Sequence, residues 1–399
     1  MVVTGAGIVT AYGSGWRVNA HGFRAGRTAF RPVTLFDVSR QRSQMAAEAD
    51  LPDTLPPTRL PARQVNRLDR ASRILLLAAH EAWRQAGWEP AENLPLVLGT
   101  TSGGMVLGEE YFKRAVSFPR SHRGQPTRAL HYQPQTQGRV IAEALGFCGP
   151  IIIIANACAS GANALGQAWE MIRSGRADHI LAGGYDALAQ LVFAGFDALQ
   201  AISPGGCRPF DAHRDGLSIG EGAAMVALET LDLASRRGAE ILGELIGYGS
   251  TMDCHHLTQP HPEGQAGLAA MQCACEVAQV NPADIDYVNA HGTGTPLNDS
   301  SEAAAINRWA GSHAATLPVS STKADIGHLL GGAGAVEAVV CLMVLREQWL
   351  PPETTVETPD PICRFPLVRQ PSDAQCELVL SNSIGFGGAN ATLLFRRHP

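Results

Sequence analysis

Four short stretches of the sequence hold side chains whose type and setting could do chemistry. The first is Cys158, flanked by Ala157, Ala159, Ser160 and Gly161, small residues that let a tight turn present a side chain at the start of a helix. Unpaired N–H groups and the positive end of the helix dipole meet there, and both favour a thiolate nucleophile. A free cysteine is more often a small buried apolar residue, and the other cysteines are read that way. Cys273 and Cys275 lie two apart in a helical pattern, so they point in different directions and make a poor metal pair.

The second stretch, Asn289-Ala290-His291-Gly292-Thr293-Gly294-Thr295-Pro296, follows an apolar strand. A histidine at the C-terminal end of a strand, among glycine and threonine, is placed to meet a ligand; the alternative is a histidine bonded within its own loop. The third runs from Ser320-Ser321-Thr322-Lys323 through His328 to Gly331. Its glycines follow the lysine, the wrong order for a phosphate-binding G-x-x-x-x-G-K-[ST] loop, so a nucleotide site is rejected. The fourth, Asn382 to Asn390, is a glycine-rich turn between two late strands. It could aim backbone N–H groups at a developing oxyanion, or be an ordinary hairpin. His255, His256 and His261 form a further cluster after Asp253, read as pocket-rim or structural histidines because no fourth metal ligand of suitable spacing is evident.

These residues need a scaffold, and the composition bounds it. With 399 residues, the chain exceeds what one hydrophobic core usually fills, so two domains or fused halves are expected. Hydrophobic residues make up 45% and charged ones 17%, which excludes wholesale disorder and a small stapled scaffold. The net charge of −6 argues against a nucleic-acid binder, and no apolar run reaches the length of a membrane span. The nine cysteines and the apolar opening Met1-Val2-Val3 lead to the expectation of a soluble cytoplasmic protein with reduced thiols and no targeting segment.

Short apolar runs around Leu96–Leu98, Ile151–Ile154, His179–Leu181, Met225–Ala227, Ile285–Val288 and Leu317–Val319 alternate with Ala-rich stretches of helical period. That pattern reads as α/β, with strands covered on both faces. One helix is expected from Asp69 to Ala86 with Gly87 as its stop, and others following Cys158 (to about Ser174), Gln265 (to about Gln279), Asp299 and His328, the last opening at Leu329. A strand-to-helix turn carrying a reactive side chain occurs twice, at Cys158 and at Lys323–His328. This predicts two similar halves, 1–240 with the cysteine and 241–399 with the two histidines.

Taken together, the four motifs resemble the elongating β-ketoacyl-[acyl-carrier-protein] synthases, the decarboxylating condensing enzymes of the thiolase superfamily. The likeness runs from Val2 to Phe395 and includes Asp211–Glu221. It implies a five-layered αβαβα fold of two similar halves with mixed sheets, normally a homodimer. Activity would be decarboxylative condensation of malonyl-carrier protein with an acyl group held on Cys158, adding two carbons in fatty-acid or polyketide-like biosynthesis. By resemblance, Cys158 is the nucleophile, and His291 and His328 complete a Cys-His-His site. Lys323 orders it, and Glu337 is the supporting acid. The N–H of Phe386, with that of Cys158, forms the oxyanion hole, and the Phe386 ring is a gate between acyl and malonyl positions. Thr293 and Thr295 contact pantetheine.

No metal or dissociable cofactor is implied; substrates ride on the phosphopantetheine of acyl carrier protein. Ile384 stands where phenylalanine is commoner in the family, leaving room near the gate, and Asn156 replaces a usual threonine. Arg63, Arg67, Arg70, Arg120, Arg123 and Arg128 are candidate docking charges for an acidic carrier. A non-catalytic partner subunit of a heterodimeric synthase is the alternative, disfavoured by retention of Cys158, His291 and His328.

Overall fold

The computed structural model describes residues 1–91, 93–118 and 131–399, and in it one five-stranded pattern occurs twice. The first half holds β1 (Val2–Thr10), β2 (Leu96–Gly99), β3 (Ile151–Ile154), β4 (His179–Asp186) and β5 (Gly222–Glu229), in spatial order β1-β5-β4-β2-β3. The first two pairings are antiparallel and the last two parallel. The second half holds β6 (Gly243–Met252), β7 (Tyr287–Asn289), β8 (Val319–Ser320), β9 (Leu378–Ile384) and β10 (Ala389–Arg396). Their order, β6-β10-β9-β7-β8, repeats the same sequence of antiparallel and parallel neighbours. Among the described residues, the two sheets pair with each other where Val2 and Val3 meet Glu244 and Gly243.

The helices that position the site are α1 (Arg70–Ala86), α2 (Met105–Ser117), α3 (Pro134–Leu145), α4 (Ser160–Arg173), α5 (Gln190–Ala198), α6 (Gln265–Ala278), α7 (Pro296–Ala310) and α8 (Ala333–Glu347). α1 and α3 cover the outer face of the first sheet, while α6, packed on α7, covers that of the second. α4 and α8 pack on each other and on both sheets. The order is therefore αβαβα, five layers. α8 is buried along nearly its whole length and is apolar around its whole circumference, as a helix between two sheets must be.

Why the outer helices sit so close is written in the first strand of each half. Gly5 and Gly7 of β1 lie under α1, where an added Cβ would come within 2.1 Å of the Ala82 carbonyl oxygen and 2.0 Å of that of Ala78. Gly247 and Gly249 of β6 face α6 in the same way, 2.3 Å and 2.0 Å from the Ala274 and Ala270 oxygens. Glycine on the strand and alanine on the helix together permit backbone-to-backbone packing.

α1 starts and stops as its sequence implies, with the Asp69 carboxylate accepting from the Ser72 N–H and Gly87 left-handed at φ +64°. Two starts differ from expectation. α7 begins at Pro296, before Asp299, because Thr295 is still extended and proline fills the first helical position. α8 begins at Ala333, after His328, because Gly327 (φ +70°) and Leu330 (φ +52°) first turn the chain. Among the described residues, no helix is long and apolar enough to cross a membrane.

Candidate active site

Each half delivers its reactive group through the same device. In the first, β3 ends at Ile154, Ala157 takes a left-handed φ of +57°, Cys158 follows, and α4 starts at Ser160. In the second, Leu330 is left-handed and α8 starts at Ala333, with His328 just upstream. A non-glycine residue held there costs of order 1–3 kcal/mol, so the surrounding packing must enforce it. Small residues let the two helix starts approach: a Cβ on Gly161 would lie 2.8 Å from the Ala335 nitrogen, and one on Gly334 2.8 Å from that of Ala162. This close crossing brings the cysteine of one half to the histidines of the other.

His291 arrives from the end of β7. Its backbone N–H and that of Gly292 each donate to the Glu302 carboxylate at 2.8 Å, and Glu302 comes from α7. The sulfur of Cys158 and one ring nitrogen each of His291 and His328 lie within 4.8 Å of one another, all buried. The two imidazoles meet edge to face, 5.2 Å between centroids. Neither ring nitrogen of His328, nor Nδ1 of His291, has a hydrogen-bond partner among the described residues. Beside them Lys323 and Glu337 form a buried ion pair.

The electrostatics follow from this burial. Both histidines titrate well below 6.5, chiefly through desolvation and then through the Lys323 charge, so they are neutral at physiological pH. Cys158 departs from the expected low-pKa thiolate. Burial pushes its thiol up to about 11, outweighing Lys323 and the backbone N–H groups of Phe386 and Cys158 that reach the sulfur. Burial also raises Glu302 to about 7.

The glycine turn is a hairpin and also part of the site: β9 and β10 pair antiparallel through it, and it carries Phe386. Gly387 donates to the Leu257 carbonyl, and Asp253 to that of Gly388, both at 2.7 Å. Ile384, Phe386, Asp253 and His256 line one narrow cleft. The rings of His255 and His261 touch at 5.1 Å, and both backbones donate to Asp253. Thr293 and Thr295 share a hydroxyl hydrogen bond of 2.9 Å.

The proposed docking arginines divide. Arg63 and Arg67 are exposed. Arg70 is not a free surface charge: its guanidinium is paired with buried Glu221 and also donates to the Ala49 carbonyl. Arg120, Arg123 and Arg128 lie outside the described residues.

Sequence reasoning missed several buried acids that shape the site. Asp186 accepts from Thr100, Thr101, Ser102 and Gly331, tying the loop after β2 to the turn before α8. Asp299 gathers the N–H groups of Phe210, Thr293 and Gly294. An acid in the first turn of an Ala-rich helix carries no motif; only that placement could have hinted at a role for Asp299.

The layered fold closed around a thiol and two neutral imidazoles defines a thiolase-type condensing centre. Residues 1–234 match the family described as "Beta-ketoacyl synthase, N-terminal domain", and residues 242–357 match "Beta-ketoacyl synthase, C-terminal domain". The chain is 39% identical to "Putative polyketide beta-ketoacyl synthase 1" of Streptomyces halstedii, over 99% of this chain and 97% of that protein. It is 35% identical to "3-oxoacyl-[acyl-carrier-protein] synthase 2" of Synechocystis, over 100% and 98%. Among solved structures it resembles the ishigamide ketosynthase/chain length factor, with TM-score 0.92, 31% identity and coverage of 100% and 99%. It also resembles a type II polyketide ketosynthase solved with its acyl-carrier protein, with TM-score 0.89, 27% identity and coverage of 100% and 99%. The chain belongs to the β-ketoacyl synthase family, as an elongating condensing enzyme of fatty-acid or polyketide biosynthesis.

Proposed function

We propose the following division of labour for the condensation. An acyl thioester on acyl carrier protein is attacked by the Cys158 sulfur; the carrier C–S bond breaks, and the thiol proton passes to the departing pantetheine sulfur. The N–H groups of Phe386 and Cys158 hold the tetrahedral oxyanion. Malonyl thioester then enters with its carbonyl oxygen between His291 and His328. Loss of CO₂ leaves the bond electrons in an enolate, which the two neutral imidazoles stabilise by donating hydrogen bonds as charge develops. The enolate carbon attacks the Cys158 thioester, the C–S bond breaks with its electrons on the Cys158 sulfur, which regains a proton from solvent, and a β-ketoacyl chain two carbons longer leaves on the carrier. The single observation that carries this reading is the convergence of one sulfur and two ring nitrogens within 4.8 Å.

Lys323 and Glu337 keep the site in order, Thr293 and Thr295 line the pantetheine path, and Ile384 borders the acyl gate. The scheme needs no dissociable cofactor. Arg63 and Arg67 dock the carrier. A homodimer is supported by the edge of β3, unpaired on its outer side among the described residues, and by exposed Phe112, Val116 and Leu191. We take 1–240 and 241–399 as the two halves. All nine cysteines are free thiols, which supports a cytoplasmic setting. Intact-protein mass spectrometry with acyl-carrier protein tests the scheme. An adduct on Cys158 that persists until malonyl-carrier protein is added supports condensation; no adduct, or one that hydrolyses unaided, overturns it.

A further inference from the structure

Phe386 is 37% exposed, and its neighbouring backbone is held by the loop containing Asp253 and Leu257. The Phe196 ring stacks on the Phe386 ring with centroids 5.9 Å apart and planes 27° from parallel. An added Cβ on Gly387 would meet nothing within 4 Å, so the turn itself leaves open space beside the ring. Phe196 is thus the aromatic surface that seats it.

Phe196 is firmly mounted. It lies on α5, whose Phe193 packs edge-on against Phe36 at 5.8 Å in a small core shared with Val38, Ile202, Leu217 and Ile219. Glu109 of α2 accepts the N–H groups of Gln190 and Leu191 at the start of α5, and near its end Asp197 pairs with Arg42. The same small core carries the segment that fixes His328: the His328 N–H donates to the Ser218 carbonyl at 2.7 Å, and the Gly220 N–H donates to the His328 carbonyl at 3.1 Å. One packing unit therefore supports the ring beside the sulfur and the backbone of a histidine proposed to hold malonate's enolate.

We infer that Phe196 is a positioning residue: its ring seats the Phe386 ring and thereby keeps malonyl decarboxylation dependent on prior acylation of Cys158. The inference rests on the gate role given to Phe386 under the proposed function. Without the stacking face, the Phe386 ring leaves its seat more often, malonyl thioester enters an unacylated site, and CO₂ is lost without carbon–carbon bond formation.

The test compares CO₂ release with β-ketoacyl product formation in purified enzyme, using malonyl- and acyl-carrier protein. Phe196→Ala should raise the ratio of CO₂ to product by roughly threefold to tenfold, the scale of one lost aromatic pair. Phe196→Leu, which keeps apolar bulk to protect the fold but removes the ring face, should raise it too, and Phe196→Tyr should restore the parental ratio. Phe386→Ala tests the underlying gate. If Phe386→Ala raises the ratio and both Phe196→Ala and Phe196→Leu leave it unchanged, the seating role is wrong while the gate stands. If Phe386→Ala also leaves it unchanged, the gate role fails and this inference with it. A merely structural role would lower both outputs together and leave the ratio fixed.

Discussion

The Lys323 ammonium and the Glu337 carboxylate meet inside the protein, with no more than 2% of either side chain exposed. The pair joins the short helical turn Lys323–Ile326, just before His328, to the N-terminal part of α8. Removing one partner strands the other in a dry interior. Lys323→Met should therefore cost about 3–5 kcal/mol in a denaturant titration, and the double variant Lys323→Met/Glu337→Leu should recover part of that loss.

The same lysine sets the charge state of the histidines. Burial and the Lys323 charge hold both imidazoles well below 6.5. Deleting the charge relieves part of that opposition, so both pKa values rise and the imidazoles protonate at higher pH. In a Lys323→Met enzyme that retains measurable turnover, the acid limb of the kcat/KM profile should move to higher pH. A limb that stays fixed contradicts the assigned coupling.

Cys158 should behave as a thiol rather than a standing thiolate. With burial pushing it up to about 11, its alkylation by iodoacetamide should climb about tenfold per pH unit and still be climbing at about pH 9. A plateau below about pH 8 would show stabilisation that this geometry lacks. Cys158→Ser should give no persistent acyl adduct by mass spectrometry.

Glu302 holds the His291 loop by accepting two backbone N–H groups. Glu302→Ala should lower kcat by at least about tenfold while KM changes by less than about twofold, because His291 is misplaced and the carrier surface is untouched. Steady-state kinetics decide this. An effect confined to KM would count against the positioning role.

Asp325 is buried, and neither of its oxygens has a hydrogen bond among the described residues; nearby Tyr12 donates to the Arg27 carbonyl instead. Desolvation raises its pKa well above the ordinary carboxylate value. A carboxyl that holds its proton more tightly when folded stabilises the fold fully below its unfolded pKa, and that contribution is lost as pH rises toward the folded value. Asp325→Asn should therefore flatten the decline in stability between about pH 4 and pH 8 and raise stability at about pH 8 by roughly 1–3 kcal/mol. Urea titrations across that range provide the check.

The reactive centre was largely legible because its residues sit in short segments whose glycines and small residues are themselves required by the geometry. Ala157-Cys158-Ala159 and Gly331–Gly334 could be read as turns feeding helices, and they are. The internal repeat was faint in motif terms, yet Gly5/Gly7 against Ala78/Ala82 and Gly247/Gly249 against Ala270/Ala274 state it plainly once the packing is seen. Arg70 was misread because its partner Glu221 is 151 residues away, and no local pattern signals a distant buried acid. Asp186 escaped for the same reason, its partners lying 84 to 145 residues away; Glu302 and Asp299 serve the nearby His291–Gly294 loop, but no motif marks an acid that accepts backbone N–H groups. Phe196 escaped because its role depends on facing Phe386 across the fold, not on anything in its own segment.

The two sheets share only a pair of rungs, whereas α4 and α8 are wrapped by both. A fragment ending near Glu229 would leave α4 bare where β6 and β10 pack on it, and its complement would bare the flank of α8 that faces β1, β4 and β5. Mixed in solution, such pieces would be driven to reassociate by their oily inner surfaces.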